Sequence, residues 1–173
     1  MSFVTLRNLI VKSVTEYMDI PVVLSDQTDP ELKCPFIFYF IVTPYVPADT
    51  TGHYEMVKQG DKAVEIRRED PTCVFSFTVC SNNREEDGRI IYGENEAMCL
   101  AERLQGWFLH AGYDVLTAGG AVVDSVNNVR SRSFLQVDEE ARRWGFDVSI
   151  RYVRKDKRVV GTIEKVNIEE VRT

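Results

Sequence analysis

The side chains best suited to catalysis or metal binding in this chain are two histidines and four cysteines. His53 and His110 do not give the H-x-x-x-H or H-E-x-x-H spacing of a zinc site. The cysteines form no C-x-x-C pair, and Cys73 and Cys80 point to opposite faces of one predicted strand. We therefore expect neither a bound metal nor a structural disulfide. A small-molecule enzyme that uses Cys73, Cys80 or His110 with nearby acids is the more distant alternative.

Paired carboxylates would be needed for a glycosidase or a metal-dependent nuclease. The acidic pairs at 85–86, 139–140 and 169–170 fall at a helix start or near chain ends, where solvated acids are ordinary. The sequence contains no nucleophile elbow, phosphate-binding loop or dinucleotide-binding turn. Trp107 and Trp144 could line a ligand site, but on a helix and at a strand entry they are more simply core residues. We expect no catalytic residue and no cofactor.

The composition is that of a soluble globular protein. Of the 173 residues, 44% are hydrophobic and 28% are charged, and this length fits a single domain over 1–173. No apolar run approaches the ~20 residues of a membrane-spanning helix, and the N-terminus lacks the pattern of a secretory signal. We therefore expect a protein made in a reducing cytoplasm without membrane association.

The net charge of −6 argues against a protein that binds the phosphate backbone of nucleic acids, because such binding needs a basic surface. One basic cluster stands out. It is either a local patch or, as the pattern favours, charge alternation along an exposed strand and turn. The cluster consists of Arg151, Arg154, Lys155, Lys157 and Arg158.

Two amphipathic helices are predicted. Between Ser2 and Met18 the apolar residues recur at steps of three and four, with Ser2 as the N-cap and Pro21 beyond the end. The second helix follows a polar hinge at 82–88, and Gly112 is its C-terminal cap. Its apolar stripe consists of Ala97, Leu100, Ala101, Leu104, Trp107, Phe108 and Ala111.

Strands are predicted between and after these helices. The apolar run 36–43 indicates a central strand covered on both sides and ended by Pro44 and Pro47. The stretch 44–61 is either a long loop arm or a short hairpin, since Tyr54 and Met56 flank a polar residue. The sum is an α+β two-layer sandwich, with a mostly antiparallel or mixed sheet and both helices on one face. The remaining strands are predicted at 22–24, 63–67, 72–81, 122–129, 146–152 and 161–168.

Seven short motifs follow one another along nearly the whole chain. They are IPVV at 20–23, CPFIFY at 34–39, TPYVP at 43–47, FSFT at 75–78, WFLHAG at 107–112, RRWGFDV at 142–148 and IEKVNI at 163–168. In this order they resemble the neck or tail-terminator proteins of tailed phages, particularly those with contractile tails.

The resemblance implies a structural protein of the virion, assembled in the host bacterial cytoplasm. Such proteins form a closed ring, usually a hexamer, that caps the finished tail tube and joins the tail to the head connector. In contractile particles they also touch the last ring of the sheath protein, and DNA passes through the lumen without specific binding. A different neck connector, such as a head-completion or sheath-completion protein, is the nearest alternative.

A ring needs two different surface patches on each subunit, because each copy meets its neighbours head to tail. The arm at 44–61 and the C-terminal strand region at 146–168 are the segments expected to supply them, the latter through a strand edge. Acids lining the lumen would repel the phosphates of passing DNA. The candidate subunit-interface residues are Tyr45, Pro47, His53, Tyr54, Arg151, Arg154 and Lys155.

Overall fold

A computed structural model describes residues 1–26, 32–48, 51–60, 62–133 and 141–161. The helices are α1 (Phe3–Met18), α2 (Gly93–Gly106) and α3 (Tyr113–Ala118), and a π-helical turn at Trp107–Ala111 joins α2 to α3. The predicted α+β class is confirmed. The strands are β1 (Val22–Leu24), β2 (Phe36–Val46), β3 (His53–Gln59), β4 (Lys62–Glu69), β5 (Thr72–Asn82), β6 (Arg84–Glu86), β7 (Arg89–Ile91), β8 (Ala121–Val126), β9 (Arg130–Ser131), β10 (Ala141–Tyr152) and β11 (Arg154–Val160).

The main sheet has the strand order β1-β2-β5-β10-β8, and β9 adds a short pairing to β10. The β1–β2 pair is parallel and the other pairs are antiparallel, so the predicted mixed sheet is confirmed. The long central strands β5 and β10 pair from Thr72 opposite Arg151 to Asn82 opposite Ala141. These two paired strands, which we call the β5–β10 ribbon, form the centre of the main sheet.

The helices cover one face of the main sheet, as the sequence predicts. On α1 the apolar stripe is buried, and the Ser2 hydroxyl accepts a hydrogen bond from the Thr5 amide as the predicted N-cap. Phe77 of β5 packs against Phe108 of the π-helical turn, with ring centroids 5.1 Å apart. Phe3 stacks on Phe75 at 5.6 Å. The core therefore lies between this sheet face and the three helices.

The second helical segment differs from its prediction in two ways. The stripe from Ala97 to Ala111 is interrupted, because the chain widens into the π-helical turn after Gly106. Residues 113–118 form α3, where the sequence predicts only a connection leading out. Gly112 is the C-cap of the π-helical turn, as predicted, although its φ of −87° is not left-handed. It is required because a Cβ there would lie 2.6 Å from the indole of Trp107.

Strand β2 is covered on one side only, and the prediction of a strand buried on both sides is wrong. Ile37 and Tyr39 are buried beneath the helices, while Phe40 and Val42 on the opposite face are 45% and 57% exposed. The strand also continues through Pro44 to Val46. Register shifts between 41 and 46 accommodate the proline, as bulges commonly do.

Three further predictions concern segments outside this core. Residues 82–88, predicted as a polar hinge, contain β6 and the turn of a β6–β7 hairpin. In this turn Asp87 and Gly88 have φ values of 52° and 72°, as a two-residue hairpin turn needs. Residues 53–59, for which a loop and a hairpin are both predicted, form a strand paired with β4. The strand predicted at 161–168 lies, from residue 162 on, outside the described residues.

Candidate functional site

A three-stranded arm continues from one end of the main sheet. Strand β4 leads into β5 through Asp70 and Pro71, and β10 leads into β11 through Val153. Because β4 and β11 pair antiparallel just as β5 and β10 do, the β5–β10 ribbon is prolonged into the arm. Strand β3 completes the arm by pairing with β4. Its eight-residue central strand spans roughly 26 Å.

A buried carboxylate joins the arm to the main sheet. Glu69, at the end of β4, is only 3% exposed. The Tyr45 hydroxyl of β2 reaches its two carboxylate oxygens at 2.8 and 2.9 Å, and the Ala48 amide donates at 3.2 Å. Arg67 adds an ion pair at 2.6 Å. The guanidinium of Arg154 lies 5.0 Å from the centre of the Tyr45 ring, so β11 is tied to the same junction.

The electrostatics of this junction favour the ionised form of Glu69. Burial by itself would raise the pKa of the Glu69 carboxyl, because it disfavours a charge. Hydrogen bonds from Tyr45, Ala48 and Arg67 outweigh that effect and hold the pKa below its ordinary value. The same contacts raise the pKa of the Arg67 guanidinium. The junction is therefore a charged, hydrogen-bonded cluster that links β2, β4 and the arm.

One face of the arm neutralises its own charges, and we call it the ion-paired face. The register places Tyr54, Arg67 and Asp156 in one row across the three strands. Asp156 pairs with Arg67 at 3.3 Å and with Arg154 at 3.1 Å. The next row contains Arg158, which is hydrogen-bonded to Glu65. These rows line a shallow depression of about 290 Å³.

The opposite face of the arm carries cations without such partners, and we call it the basic face. One row places His53, Arg68 and Lys155 side by side, and all three are exposed. The next row contains Lys157, Ile66 and the exposed acid Glu55. Beyond it Val57, Val64 and Val159 form an apolar row, in which Val64 is buried and Val159 is exposed. Within the described residues none of the basic face's lysines or arginines forms an ion pair. The charges of the arm are thus segregated between its two faces.

The arm differs in charge from the rest of the chain. Strands β3, β4 and β11 together contain eight Lys or Arg and four Asp or Glu, a net charge of +4. The full chain has a net charge of −6, so the residues outside these strands carry −10. An acidic molecule therefore bears a distinctly basic appendage.

The structure brings two of the predicted interface residues into direct contact. Tyr45 and Arg154 meet at the junction through the stacking described above. Pro47 follows the end of β2 and is exposed. Arg151 lies apart on β10, in the main sheet, opposite Thr72.

The other predicted interface residues lie on the arm, on different faces. His53 and Lys155 share a row of the basic face, whereas Tyr54 belongs to the ion-paired face. Sequence reasoning missed Arg67, Arg68 and Glu69 on β4, since their function in the arm depends on partners distant in the sequence.

The uncovered face of the main sheet is a second surface that the sequence did not reveal. Exposed Phe40 and Val42 border a polar network in which Arg132 donates to Asp147 at 2.7 Å and to Ser76 at 2.7 Å. Burial would raise the pKa of Asp147, but the bonds from Ser76 and Arg132 lower it below its ordinary value. The groove over this face measures about 810 Å³. Arg130 and Arg132 both form ion pairs with Asp147, so this carboxylate is engaged within the subunit.

The two cysteines named for the enzyme alternative are buried and not activated as nucleophiles. Burial raises the pKa of Cys73 to about 12 and that of Cys80 to about 11, whereas a reactive cysteine needs a lowered pKa. His110 lies on the exposed side of the π-helical turn. Across the described ranges no group of three potential metal ligands occurs. None of the helices there is long and apolar enough to cross a membrane.

Comparison with known proteins gives one clear result. No curated protein matches the chain significantly. A family model described as phage neck terminator protein matches residues 5–173, which is nearly the entire sequence. This chain therefore belongs to the phage neck terminator family.

Proposed function

We propose that the chain is a tail terminator that assembles into a closed ring, most simply a hexamer, on the end of a completed tail tube. The observation that carries this proposal is the family match over residues 5–173. Membership of that family indicates a structural component of the virion in the tail and neck, which interacts with other tail or head proteins. The finer role, which is to stop the tube and join it to the head connector, is our proposal.

The partners follow from that position in the particle. The ring would contact the tail tube protein below and the head connector above, and in a contractile particle the last ring of sheath protein. The charge of −10 outside the arm strands supports a lumen that repels DNA and lets it pass. No bond is made or broken in this role, so it requires neither catalytic residues nor a cofactor.

We infer that the arm supplies part of the interface between subunits. A closed ring is built from heterologous contacts, in which two different patches of each subunit meet. The predicted residues His53, Tyr54, Arg154 and Lys155 lie on this arm, with Tyr45 and Pro47 at its base. Arg151, the remaining predicted residue, lies apart from them on the main sheet. Tyrosine and arginine are the residue types most enriched in interface hot spots, which supports this choice.

Deletion of the gene tests the proposed function. Without a terminator the tube should grow past its normal length or fail to join heads, and both defects are visible by negative-stain electron microscopy. A plasmid-borne wild-type gene should restore both. Tails of normal length that fail only to join heads would assign the chain instead to another connector of the neck. Normal, infectious particles would refute a role in the neck altogether.

A further inference from the structure

The β6–β7 hairpin is a second exposed surface, and its character is opposite to that of the basic face. It carries three successive acids, Glu85 and Glu86 on β6 and Asp87 in the turn. Ile90 pairs directly with Glu85, so the two side chains share one face of the hairpin. Ile90 is 67% exposed and Tyr92, just after the hairpin, is 60% exposed. Ile90 and Tyr92, two residues apart in sequence, are therefore exposed apolar side chains close to these acids.

The acids of this hairpin are only partly neutralised. Arg84 is engaged by Glu96 at 2.6 Å and by Glu86 at 3.1 Å. The other cation of the hairpin, Arg89, stands opposite Glu86. Within the described residues, Glu85 and Asp87 therefore have no ion-pair partner. They remain available to a cation from outside the subunit.

The basic face of the arm, in turn, contains an internal repulsion. Arg68 and Lys155 are directly opposite each other on paired strands. Like charges at such positions destabilise a sheet, and an acid from another molecule would relieve this. On the same strands, the ion-paired face places Asp156 beside Arg67 and Glu65 beside Arg158. The basic face carries one acid, Glu55, but within the described residues its lysines and Arg68 form no ion pair, so they can bind anions of another molecule.

These two surfaces lie at opposite ends of the β5–β10 ribbon. The arm precedes β5 at Thr72, and the hairpin follows β5 at Asn82. Eleven residues of strand separate them, a span of roughly 35 Å. They cannot meet within one subunit, but that spacing suits a head-to-tail contact between neighbours.

We propose that in the ring the basic face of one subunit's arm docks on the β6–β7 hairpin of the next copy. Lys155 and Lys157 would meet Glu85 and Asp87, and the exposed Val159 would cover the apolar side chains beside those acids. The occupant is a second copy rather than DNA, because phosphates would leave the exposed Val159 of the basic face uncovered. This inference rests on the proposed ring, and it specifies which surfaces close that ring.

The contact is small, and this has a consequence for assembly. Three strands about 4.8 Å apart and seven residues long present a face of roughly 300 Å² in projection. A stable interface buries ~800 Å² on each partner. One arm contact is therefore too weak to hold two subunits together alone. Its stabilising effect becomes large only when every subunit of a ring makes the contact, or when the end of the tube brings the subunits together.

Charge reversal in both surfaces tests the proposal. The arm-reversed variant is Lys155→Glu with Lys157→Glu, and the hairpin-reversed variant is Glu85→Lys with Asp87→Lys. Each variant alone brings like charges together at every contact and should assemble at least ~10-fold more weakly, as about 1.4 kcal/mol per contact implies. An equimolar mixture restores opposite charges at every contact, since the two variants alternate around the ring. The mixture should therefore assemble like wild type.

Assembly is measured by native mass spectrometry of the purified proteins and by rescue of tail length in the deletion strain. The matched control is Lys58→Glu, which reverses a charge on the ion-paired side of the arm and should leave assembly unchanged. Thermal melting separates an interface from a folding effect. The arm-reversed variant should melt at the same or a higher temperature than wild type, because a carboxylate at position 155 would face Arg68.

The outcomes separate this inference from the proposed function. Failure of the wild-type gene to restore tail length would refute the terminator role itself. Rescue by wild type together with no rescue by the mixed variants would refute only the arm–hairpin contact. Normal assembly of either variant alone would refute it too. Binding of short duplex DNA that Lys155→Glu with Lys157→Glu abolishes, while ring assembly persists, would assign the basic face to DNA.

Discussion

Removal of one hydroxyl group at the base of the arm tests how the arm is held. The substitution Tyr45→Phe deletes the donor that reaches both oxygens of Glu69 at 2.8 and 2.9 Å. The ring stays, and with it the packing of the Arg154 guanidinium over its face. Glu69 keeps the Ala48 amide and the Arg67 ion pair. The change therefore isolates a single hydrogen bond to a buried charge.

The expected cost is about 1.5–2 kcal/mol, at the lower end of the range for hydrogen bonds to charged groups, because two other donors remain. This corresponds to roughly 10- to 30-fold more frequent opening of the arm. Amide hydrogen exchange followed by mass spectrometry measures such local opening. Exchange should accelerate by that factor in β4 and β11 and change little in α1. The control Tyr54→Phe should have no effect, since within the described residues the Tyr54 hydroxyl forms no hydrogen bond.

The effect should depend on pH with a definite sign. The pKa of Glu69 is lowered in the folded protein, and the Tyr45 hydroxyl contributes to that lowering. Stability of this kind is present above the unfolded pKa of ~4.3 and is lost as pH falls through the folded value. The difference between wild type and Tyr45→Phe, compared at equal pH so that intrinsic exchange rates cancel, should be full at pH 7 and should decrease as the pH falls below the unfolded pKa of ~4.3 towards the lowered folded value. A difference that grows as the pH falls, or one of less than threefold at pH 7, would refute the reasoning.

Three further predictions concern the main sheet, the first helix and the cysteines. Gly145→Ala should lower the free energy of unfolding by at least ~1–3 kcal/mol, because the new Cβ would lie 2.2 Å from a carbonyl oxygen of β5. Urea unfolding measures this loss. The control Gly106→Ala, at an open helical position, should instead raise the free energy of unfolding by ~0.5–1 kcal/mol. Ser2→Ala should cost about 1 kcal/mol of helix capping in the same assay, and no loss would contradict the N-cap. A thiol reagent at neutral pH should label the exposed Cys99 in the folded protein and leave Cys73 unmodified until denaturant is added, as mass spectrometry of the labelled protein would show.

Helices and strands that bury one face could be predicted from the sequence, because their apolar residues recur at the period of the element. The spacing of Leu6, Ile10 and Val14 predicts α1 and its buried stripe, and the structure confirms both. The alternation of Phe75, Phe77 and Val79 likewise predicts β5 and the face that meets the helices. In both cases the physical cause is local, because the repeat of the element sets which side chains point toward the core.

Burial that depends on whether another layer of structure covers an element could not be predicted in this way. The run 36–43 is apolar on both faces, yet only Ile37 and Tyr39 are buried, since a strand cannot specify whether another layer covers its far side. The β6–β7 hairpin carried a usable signal, the Asp87–Gly88 turn, but its strands are too short and too polar to show alternation. The sequence analysis predicted a polar hinge there and revealed neither the hairpin nor the surface it presents.

The arm shows the same limit for the candidate site. Strand β11 has the sequence RKDKRVV, whose charges predicted an exposed strand and turn but not its partner. That partner, β4, lies nearly ninety residues earlier in the chain, and the ion pairs between them are visible only after folding. Glu69 is buried because Tyr45, 24 residues away, reaches it through the packing of β2. The sequence indicated residues of β3 and β11 as interface candidates, but not their partners on β4 or the face that each would occupy.

The two faces of the arm differ in how far their charges are paired within the subunit. On the ion-paired face, cations and carboxylates are matched across the strands, so the arm's charges there are accounted for by folding alone. On the basic face, Arg68 and Lys155 oppose each other although a single acidic residue at either position would stabilise the same pair of strands. Local rules are usually broken where function requires it. The repulsion is therefore best explained by a partner that supplies the missing acids, and the chain carries such acids at the far end of the same ribbon.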